Sequence, residues 1–425
     1  MPRPVLRPES APRRRPLDNG SVLLTRPLPE VHGVGVAVLI GTGTRDEDPA
    51  RQGGISHLLE HMVFKGTTSR TAFELARDME ALGGQLDAYT TKEHTAYTLK
   101  VLPDQLEPAL AILGDMLERS TFPEDQLALE KQVVIEEILA ADDTPDDVVH
   151  ERFCEHLWPD HPLRHPILGT QDSVSAISRD ELVEHAGRVH VGGNVIVGAA
   201  GALGEREEEL VAAAFGFPSG TSPRGPDRAA PVAPGSFAHV REGLGQEYVE
   251  IGIPTPGAGH PDRFTLSLLS NVLGGGMSSR LFQRVREEEG LAYGIYNYCD
   301  FYRDGGMLGT SYSASPDKCR RAAEIVAQEY ERLRRGELDE DELESNKAQL
   351  VSSVVLGMES VLSQALRLVR SESVYGRFVP VAEIIERIDA VTRDEVITLA
   401  QTVLDPAAQT LVAYGPVDDL RWPGQ

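Results

Sequence analysis

Two hydrophobic periodicities alternate along the chain and predict strands and helices in a similar order in both halves. Apolar runs typical of buried strands occur at 33–41, 96–102, 194–200, 248–254 and 409–414. Segments with apolar residues three or four positions apart lie between these runs and predict long helices. This order favours an α+β fold, in which each domain has a mixed or antiparallel sheet with helices packed on one face.

Length and composition indicate two domains. A chain of 425 residues is long for one hydrophobic core. Pro, Gly, Ser and Ala dominate residues 216–235, as in an extended linker. We therefore predict an N-terminal domain at 17–216, a linker at 217–237 and a C-terminal domain at 238–425. Residues 1–16 are rich in Arg and Pro, and we expect a disordered tail there, since prolines disfavour the amphipathic helix of a mitochondrial transit peptide.

The most specific chemical signal is the pentapeptide His57-Leu58-Leu59-Glu60-His61. Residues four apart on a helix share a face, so both imidazoles can reach one metal ion, and Glu60 lies beside them as a potential general base. A catalytic zinc ion needs a third protein ligand and one open position. Two histidines on a helix can also be ordinary solvated residues, and the pentapeptide by itself leaves both interpretations open.

A second predicted helix, at 124–139, offers acidic side chains for the third ligand. Glu130 and Glu137 lie seven residues apart, about two turns, and so share a face, whereas Glu136 is rotated by about 100° from Glu137. Acids on a helix more often form a solvated face. Local sequence alone therefore does not decide between a ligand and a solvated acid.

The combination of the two segments is more specific. His57-x-x-Glu60-His61, followed 76 residues later by Glu137, resembles the pitrilysin family of zinc peptidases, an inverzincin family that includes insulin-degrading enzymes and the mitochondrial processing peptidase. The resemblance implies that His57, His61 and Glu137 hold one Zn²⁺ per chain. It also implies that Glu60 is the general base and that Glu130 supports the site from behind the ligands.

The resemblance extends to a segment between these motifs. Residues 83–97 are similar to the edge strand with which this family binds its substrate. The similarity implies that a peptide contacts Asp87, Ala88, Tyr89 and Thr90. Many family members have Asn in place of Asp87, so the main-chain role is expected to persist while side-chain contacts there differ.

A further pair lies in the second half. Arg286 and Tyr293, seven residues apart, match an Arg/Tyr pair that reaches across a cavity to the zinc in this family. The resemblance implies a catalytic role, because a guanidinium and a phenol can donate hydrogen bonds to substrate carbonyls and to a developing oxyanion.

An internal repeat supports the two-domain prediction. Residues 267–271 (Ser-Leu-Leu-Ser-Asn) align with the pentapeptide at an offset of 210, and both leucines coincide. Residues 340–347 align with 124–131 at an offset of 216, which places Ser353 opposite Glu137. The chain is therefore interpreted as a duplicated domain whose second copy has lost its metal ligands.

Charge and cysteine content exclude some classes of protein. The net charge of −25 argues against a general nucleic-acid binder. Three cysteines without paired spacing favour a reducing compartment. We find no apolar run of membrane-spanning length and no signal peptide, and therefore expect a cytoplasmic protein without a membrane segment.

The region after residue 123 carries many titratable side chains. Eleven acids lie between Glu124 and Glu155; they are expected to form a solvated face, or alternatively an acidic wall that favours basic peptides. Six histidines are expected to be ordinary loop and surface residues, namely His150, His156, His161, His165, His185 and His190.

Together, these features predict a zinc-dependent endopeptidase that hydrolyses unfolded peptides or small precursors inside a closed chamber. A chain of this half length in the family pairs with a second chain, so we expect a homodimer, with a heterodimer containing a related chain as the alternative. The alternative function is that of a non-catalytic or partner-dependent subunit of a processing complex.

Overall fold

The computed structural model describes residues 9–228, 231–417 and 420–423. The strands are β1 (Arg13–Pro16), β2 (Val22–Pro27), β3 (Val34–Ile40), β4 (Gln85–Thr90), β5 (Thr95–Val101), β6 (Val195–Gly201), β7 (Gly235–Val240), β8 (Glu247–Thr255), β9 (Ala292–Phe301), β10 (Gly306–Ala314) and β11 (Thr410–Gly415). The helices of the first half are α1 (Pro49–Gln52), α2 (Ile55–Met62), α3 (Ala72–Ala81), α4 (Leu106–Arg119), α5 (Glu124–Asp142), α6 (Pro145–Leu157), α7 (Gln171–Ala176), α8 (Arg179–Val189) and α9 (Glu205–Ala213). Those of the second half are α10 (Arg263–Gly274), α11 (Pro316–Arg334), α12 (Glu340–Leu356), α13 (Val361–Tyr375), α14 (Val381–Ala390) and α15 (Arg393–Val403).

The strands form two mixed sheets of equivalent topology. The first sheet has the order β1-β2-β6-β3-β5-β4 and the second β7-β11-β8-β10-β9. β2 and β6 are parallel, as are β7 and β11, and the other neighbouring pairs are antiparallel. The predicted α+β class with two homologous domains is therefore confirmed.

Each sheet buries one face against helices of its own half. β3 (VGVAVLI) is buried along its whole length, because helices cover both faces of the first sheet. On one face, Val36 and Val38 belong to a core with apolar residues of α2, α4 and α8. The second sheet forms a corresponding core with α10, α11 and α15.

The second face of each sheet is covered by a helix from the other half. α6 packs on the second sheet, where Phe153 and Leu157 form a core with Met307 and Val412. α13 packs on the first sheet, where Leu368 and other apolar residues meet β3 and β6. These helices are equivalent in the repeat, so the two halves exchange them reciprocally, and separating the domains would expose both apolar contacts to water.

The N-terminal segment corrects one expectation. Within the expected disordered tail 1–16, residues 13–16 form β1, antiparallel to β2. Their arginines form ion pairs with Glu208, Glu372 and Glu209. Strand pairing and these charge contacts order a segment whose composition resembles that of a tail, while residues 1–8 lie outside the described residues. β7 begins at Gly235, so the last residues of the predicted linker 217–237 belong to the second sheet.

Among the described residues, no single helix is both long and apolar enough to cross a membrane. Only taken together are α12 and α13 long and apolar enough to cross a membrane, and they are bent by 107° relative to each other.

The docking of α13 can be tested at Gly198 of β6. A Cβ atom at this position would lie 2.7 Å from the Ala365 carbonyl oxygen and 2.8 Å from Val369 Cγ1. We expect Gly198→Ala to lower the free energy of unfolding by about 1–3 kcal/mol, because α13 must move away from the sheet. Denaturant unfolding measures this change.

Gly187→Ala in α8 is the matched control, because a Cβ atom added there would meet no other part of the described chain within 4 Å. Alanine at this position should be neutral or stabilise the helix by about 0.5–1 kcal/mol. Equal stability of the two variants would contradict the close docking of α13.

Candidate metal centre

The local fold of α2 positions the pentapeptide. The helix begins after Gly54, whose φ of 87° is left-handed, and a Cβ at this residue would lie 2.5 Å from the Leu168 carbonyl oxygen. Ile55, Leu58 and other apolar residues of the helix are buried in the core of the first domain. With this face fixed, the histidines and Glu60 are directed towards α5 and the edge strand β4.

His57, His61 and Glu137 come together as predicted. Glu137 Oε2 lies 3.6 Å from His57 Nε2 and 3.7 Å from His61 Nε2. The imidazole ring centroids are 4.6 Å apart. Among the described residues, this is the one group of three or more His, Cys, Asp or Glu side chains whose ligand atoms all lie within 4.8 Å of one another.

The donor set fits zinc. Two ligand atoms on a tetrahedral zinc ion with bonds of about 2.0–2.1 Å are roughly 3.3 Å apart. The observed separations from Glu137 are slightly longer and exceed hydrogen-bonding distance, as expected for side chains arranged around an ion. Burial, together with the neighbouring His61, lowers the pKa of His57 to about 4, so its imidazole is neutral at pH 7, the form that binds a metal.

Glu130 supports the metal ligands from the buried side of α5. One carboxylate oxygen lies 3.1 Å from His61 Nδ1, and the other is 2.7 Å from Lys65 Nζ. When Nδ1 donates to this carboxylate, Nε2 of His61 is left free to bind a metal on the side of Glu137. This geometry agrees with the supporting position predicted for Glu130.

The second copy of the repeat has an uncharged counterpart of the contact between His61 and Glu130. Asn271 and Asn346 occupy the positions equivalent to His61 and Glu130, and the Asn271 amide donates to Asn346 Oδ1 at 2.7 Å. The second copy therefore retains the hydrogen bond between equivalent helices, although its side chains cannot supply the same metal ligands.

Glu60 is held by the edge strand. Thr90 Oγ1 donates a hydrogen bond of 2.5 Å to Glu60 Oε2. Burial raises the pKa of Glu60, partly offset by this hydrogen bond. The carboxylate therefore has a fixed orientation beside the two histidines and an increased proton affinity, both of which suit a general base.

β4 is an outer strand of the first sheet, as predicted for the substrate-binding segment. Asp87 Oδ1 accepts a hydrogen bond from the Ala88 amide at 2.9 Å, and Tyr89 OH accepts one from Arg370 of α13 at 3.0 Å. The contacts of Asp87, Ala88, Tyr89 and Thr90 with a peptide remain a prediction.

A cleft of about 860 Å³ adjoins the metal ligands. His57, Glu60 and Thr90 line one side, and residues of α5, α6 and 166–172 line the rest. The lining includes five further acids, namely Asp142, Asp147, Glu151, Glu155 and Asp172. The acidic run between α5 and α6 therefore faces the cleft in part, rather than only the bulk solvent.

Arg286 and Tyr293 come together in the second domain. Arg286 lies in a π-helical segment (Phe282–Glu288), and its guanidinium is 4.9 Å from the Tyr293 ring centroid. Tyr293 is 83 % exposed at the start of β9, an outer strand of the second sheet. Neither residue is among the described residues that line the cleft.

Three of the six histidines expected in loops or on the surface are buried, namely His161, His185 and His190. Each has a polar neighbour that compensates its burial: for example, His185 Nε2 lies 3.3 Å from Ser56 Oγ, and His190 Nδ1 lies 3.0 Å from the Leu117 carbonyl oxygen. His150, which lines the cleft, lies 3.2 Å from the buried carboxylate of Glu250. These partners are distant in sequence, so periodicity could not reveal them.

The structure is a two-domain α+β fold with one candidate metal centre among its described residues, and comparisons with known proteins identify the family. The Insulinase (Peptidase family M16) pattern matches residues 22–171, and the Peptidase M16 inactive domain pattern matches 176–350. The chain belongs to this insulinase family, to which the pitrilysin-type peptidases also belong, and the predicted resemblance is confirmed.

Relatives cover nearly the whole chain. An uncharacterised zinc protease of Mycobacterium bovis is 37% identical over 93% of this chain and 91% of its own length. Another from Bacillus subtilis is 35% identical over 92% of this chain and 95% of its own length. A solved structure of a protease from Helicobacter pylori has a TM-score of 0.89 and 23% identity, covering 96% of this chain and 100% of that one. The relatives support a zinc peptidase, and the solved structure shows the shared fold.

The ligand assignment can be tested with two adjacent acids of α5. Glu137→Gln should lower the zinc content from about one per chain to a small fraction, because the amide is a poor zinc ligand. Glu136→Gln removes the same charge from an exposed neighbour and should retain full zinc. Metal analysis of both purified variants measures the difference, and equal zinc contents would contradict Glu137 as a ligand.

Proposed function

We propose that the protein is a zinc-dependent endopeptidase that cleaves unfolded peptides or small precursor polypeptides. The observation that carries this proposal is the convergence of His57, His61 and Glu137 next to Glu60, which is itself hydrogen-bonded to the edge strand β4. The candidate metal ligands, the base and a strand able to bind a peptide thus lie together, and His57, Glu60 and Thr90 line one cleft.

Each side chain has a defined task in this chemistry. When bound, zinc supplies Lewis-acid polarisation of the scissile carbonyl and makes water more acidic. Glu60 accepts the proton of the attacking water and later delivers it to the leaving amine. Thr90 keeps the Glu60 carboxylate in place, and Glu130 keeps the His61 ring in its ligating orientation.

A substrate peptide binds in an extended conformation along β4. The side of this strand facing away from β5 carries main-chain groups that a further strand can pair with. Folded proteins cannot offer such a segment, so cleavage is restricted to unfolded chains. The five acids of the cleft favour basic side chains near the bond that is cleaved.

A homodimer supplies the remaining groups. Tyr293 is exposed at the start of β9 and Arg286 of the preceding π-helical segment lies beside it, but neither residue lines the cleft of its own chain. In a closed chamber of two copies, the partner's Arg286 and the partner's Tyr293 would donate hydrogen bonds to the substrate and to the developing oxyanion. We place this dimer in the cytoplasm, in line with the cysteine content.

The base role predicts a specific loss. Glu60→Gln should retain zinc but lower peptide cleavage by about 10³-fold, because an amide cannot accept the proton. Turnover of a fluorogenic peptide library by the zinc-loaded variant tests this expectation. Cleavage at the wild-type rate would refute the role of Glu60, whereas a zinc-loaded wild type that cleaves no peptide would favour the non-catalytic subunit instead.

The contribution in trans predicts complementation. Glu60→Gln and Arg286→Ala should each be impaired alone, Arg286→Ala by about 10²–10³-fold, the usual effect of losing one oxyanion donor. In a mixed dimer, the cleft of the Arg286→Ala chain receives an intact arginine from its partner. Unfolding and refolding the two variants together in equal amounts should therefore restore roughly a quarter of the sites, the share expected for random pairing of closed dimers.

The control for this mixing experiment is a doubly substituted chain, Glu60→Gln with Arg286→Ala, refolded with each single variant. Only the mixture of the two single variants brings an intact Glu60 and an intact Arg286 together at one cleft. If that mixture stays as inactive as the controls, the arginine acts within its own chain or has no catalytic role.

A further inference from the structure

The start of the zinc-binding helix depends on a carboxylate from outside the helix. The N-cap residue of α2 is Gly54, which has no side chain to accept hydrogen bonds from the first turn. Glu47 fills this role: Oε2 accepts from the Gly54 amide and Oε1 from the Ser56 amide, both at 2.8 Å. Both oxygens of one carboxylate thus fix the turn that immediately precedes His57.

The two residues before Glu47 contact the second domain. The guanidinium of Arg45 is buried and donates to both carboxylate oxygens of Asp304, at 2.8 and 2.5 Å. Asp46 Oδ1 lies 3.3 Å from Arg303 Nη2. Arg303 and Asp304 form the turn between β9 and β10, so consecutive side chains of the first domain bind this turn directly.

The same turn also reaches the region of the edge strand. The Arg303 amide donates to the Glu93 carboxylate at 3.1 Å, and Arg45 Nη1 lies 2.6 Å from Glu93 Oε1. Glu93 follows β4 by three residues. The β9–β10 turn is therefore linked by ion pairs to Arg45 and Asp46, and by main-chain hydrogen bonds to Glu93 beyond the edge strand.

We propose that Glu47 is a positioning residue that fixes the zinc-binding helix relative to the β9–β10 turn of the second domain. Arg45 and Asp46 form ion pairs with the turn, and Glu47, the next residue, is hydrogen-bonded to main-chain amides at the start of α2. His57 lies one residue beyond Ser56, so a rotation of this first turn displaces one metal ligand relative to Glu137. This inference rests on the proposed zinc function.

A helix cap with a purely structural role would change stability alone. A positioning role instead predicts a change in the metal site of a folded protein. Burial raises the pKa of Glu47 to about 7, despite the two amide hydrogen bonds, so the carboxylate is held at a substantial desolvation cost. Such a group is expected where its geometry, rather than net stability, is required.

The test compares Glu47→Gln with Asp48→Asn in the full-length protein. Asp48 is the adjacent carboxylate and also caps a helix, accepting from the Ala50 amide at 3.1 Å, but that helix is α1 rather than α2. Zinc affinity is measured by competition with a chelator at a temperature where the zinc-free variants are folded by circular dichroism. We expect Glu47→Gln to bind zinc about 10–100-fold more weakly, the usual effect of losing an outer-shell partner, and Asp48→Asn to bind as wild type.

Two further measurements separate positioning from general destabilisation. The visible spectrum of the cobalt-substituted protein should change for Glu47→Gln and not for Asp48→Asn, because cobalt absorption reports ligand geometry. Glu47→Asp keeps the charge on a shorter side chain and should recover part of the zinc affinity. If Glu47→Gln has the same zinc affinity and cobalt spectrum as Asp48→Asn, the proposal is overturned. It is also overturned if both Glu47→Gln and Glu47→Asp fail to fold.

The link to the second domain is tested with Asp304→Asn, which removes the charge facing Arg45. This substitution should also weaken zinc binding. In the double variant with Glu47→Gln, zinc affinity should fall by a smaller factor than the product of the factors for the two single variants. Independent effects would overturn the link. A wild type that binds no zinc refutes the proposed function itself, whereas a zinc-binding, active wild type with an unchanged Glu47→Gln refutes only this inference.

Discussion

The reciprocal packing of α6 and α13 is the constraint on which the rest of the structure depends. Each helix covers the sheet of the other half, so neither sheet completes its core without the opposite domain. α6 begins three residues after α5 ends, and α5 carries Glu130 and Glu137. The position of Glu137, the proposed third metal ligand, is therefore tied to the docking of α6 on the second sheet, because a short connection leaves little freedom between the two helices.

Ion pairs also hold the two domains together. The buried guanidinium of Arg45 would be costly alone, and the carboxylates of Glu93 and Asp304 compensate its charge. The side chains of the candidate metal centre follow a similar rule, since the proposed ligand His61 is paired with Glu130 and the proposed base Glu60 with Thr90. Burial without these partners would shift protonation or orientation and leave a weaker site.

Duplication allowed the two copies to diverge in chemistry while their packing persisted. The α10–α12 contact between Asn271 and Asn346 maintains the spacing that His61 and Glu130 maintain between α2 and α5. The second copy has no His/His/Glu cluster among its described residues, and it carries the Arg286/Tyr293 pair and the β9–β10 turn. In the proposed enzyme, both features act on the first copy or on a second chain rather than on a site of their own.

The sequence by itself predicted β3, β5, β6, β8 and β11, the repeat and the shared face of His57 and His61, because period and helix spacing are local or pairwise properties. Glu137 was assigned as the third ligand through the family resemblance, since local spacing did not distinguish it from a solvated acid. α5 extends over Glu124–Asp142 where 124–139 was predicted, and His57, His61 and Glu137 meet as expected. Only the tertiary structure decided which sheet α6 and α13 cover, that β1 is ordered, and that Glu47 caps α2. These features depend on contacts between distant segments, and an apolar helix face or a lone acid does not specify its partner.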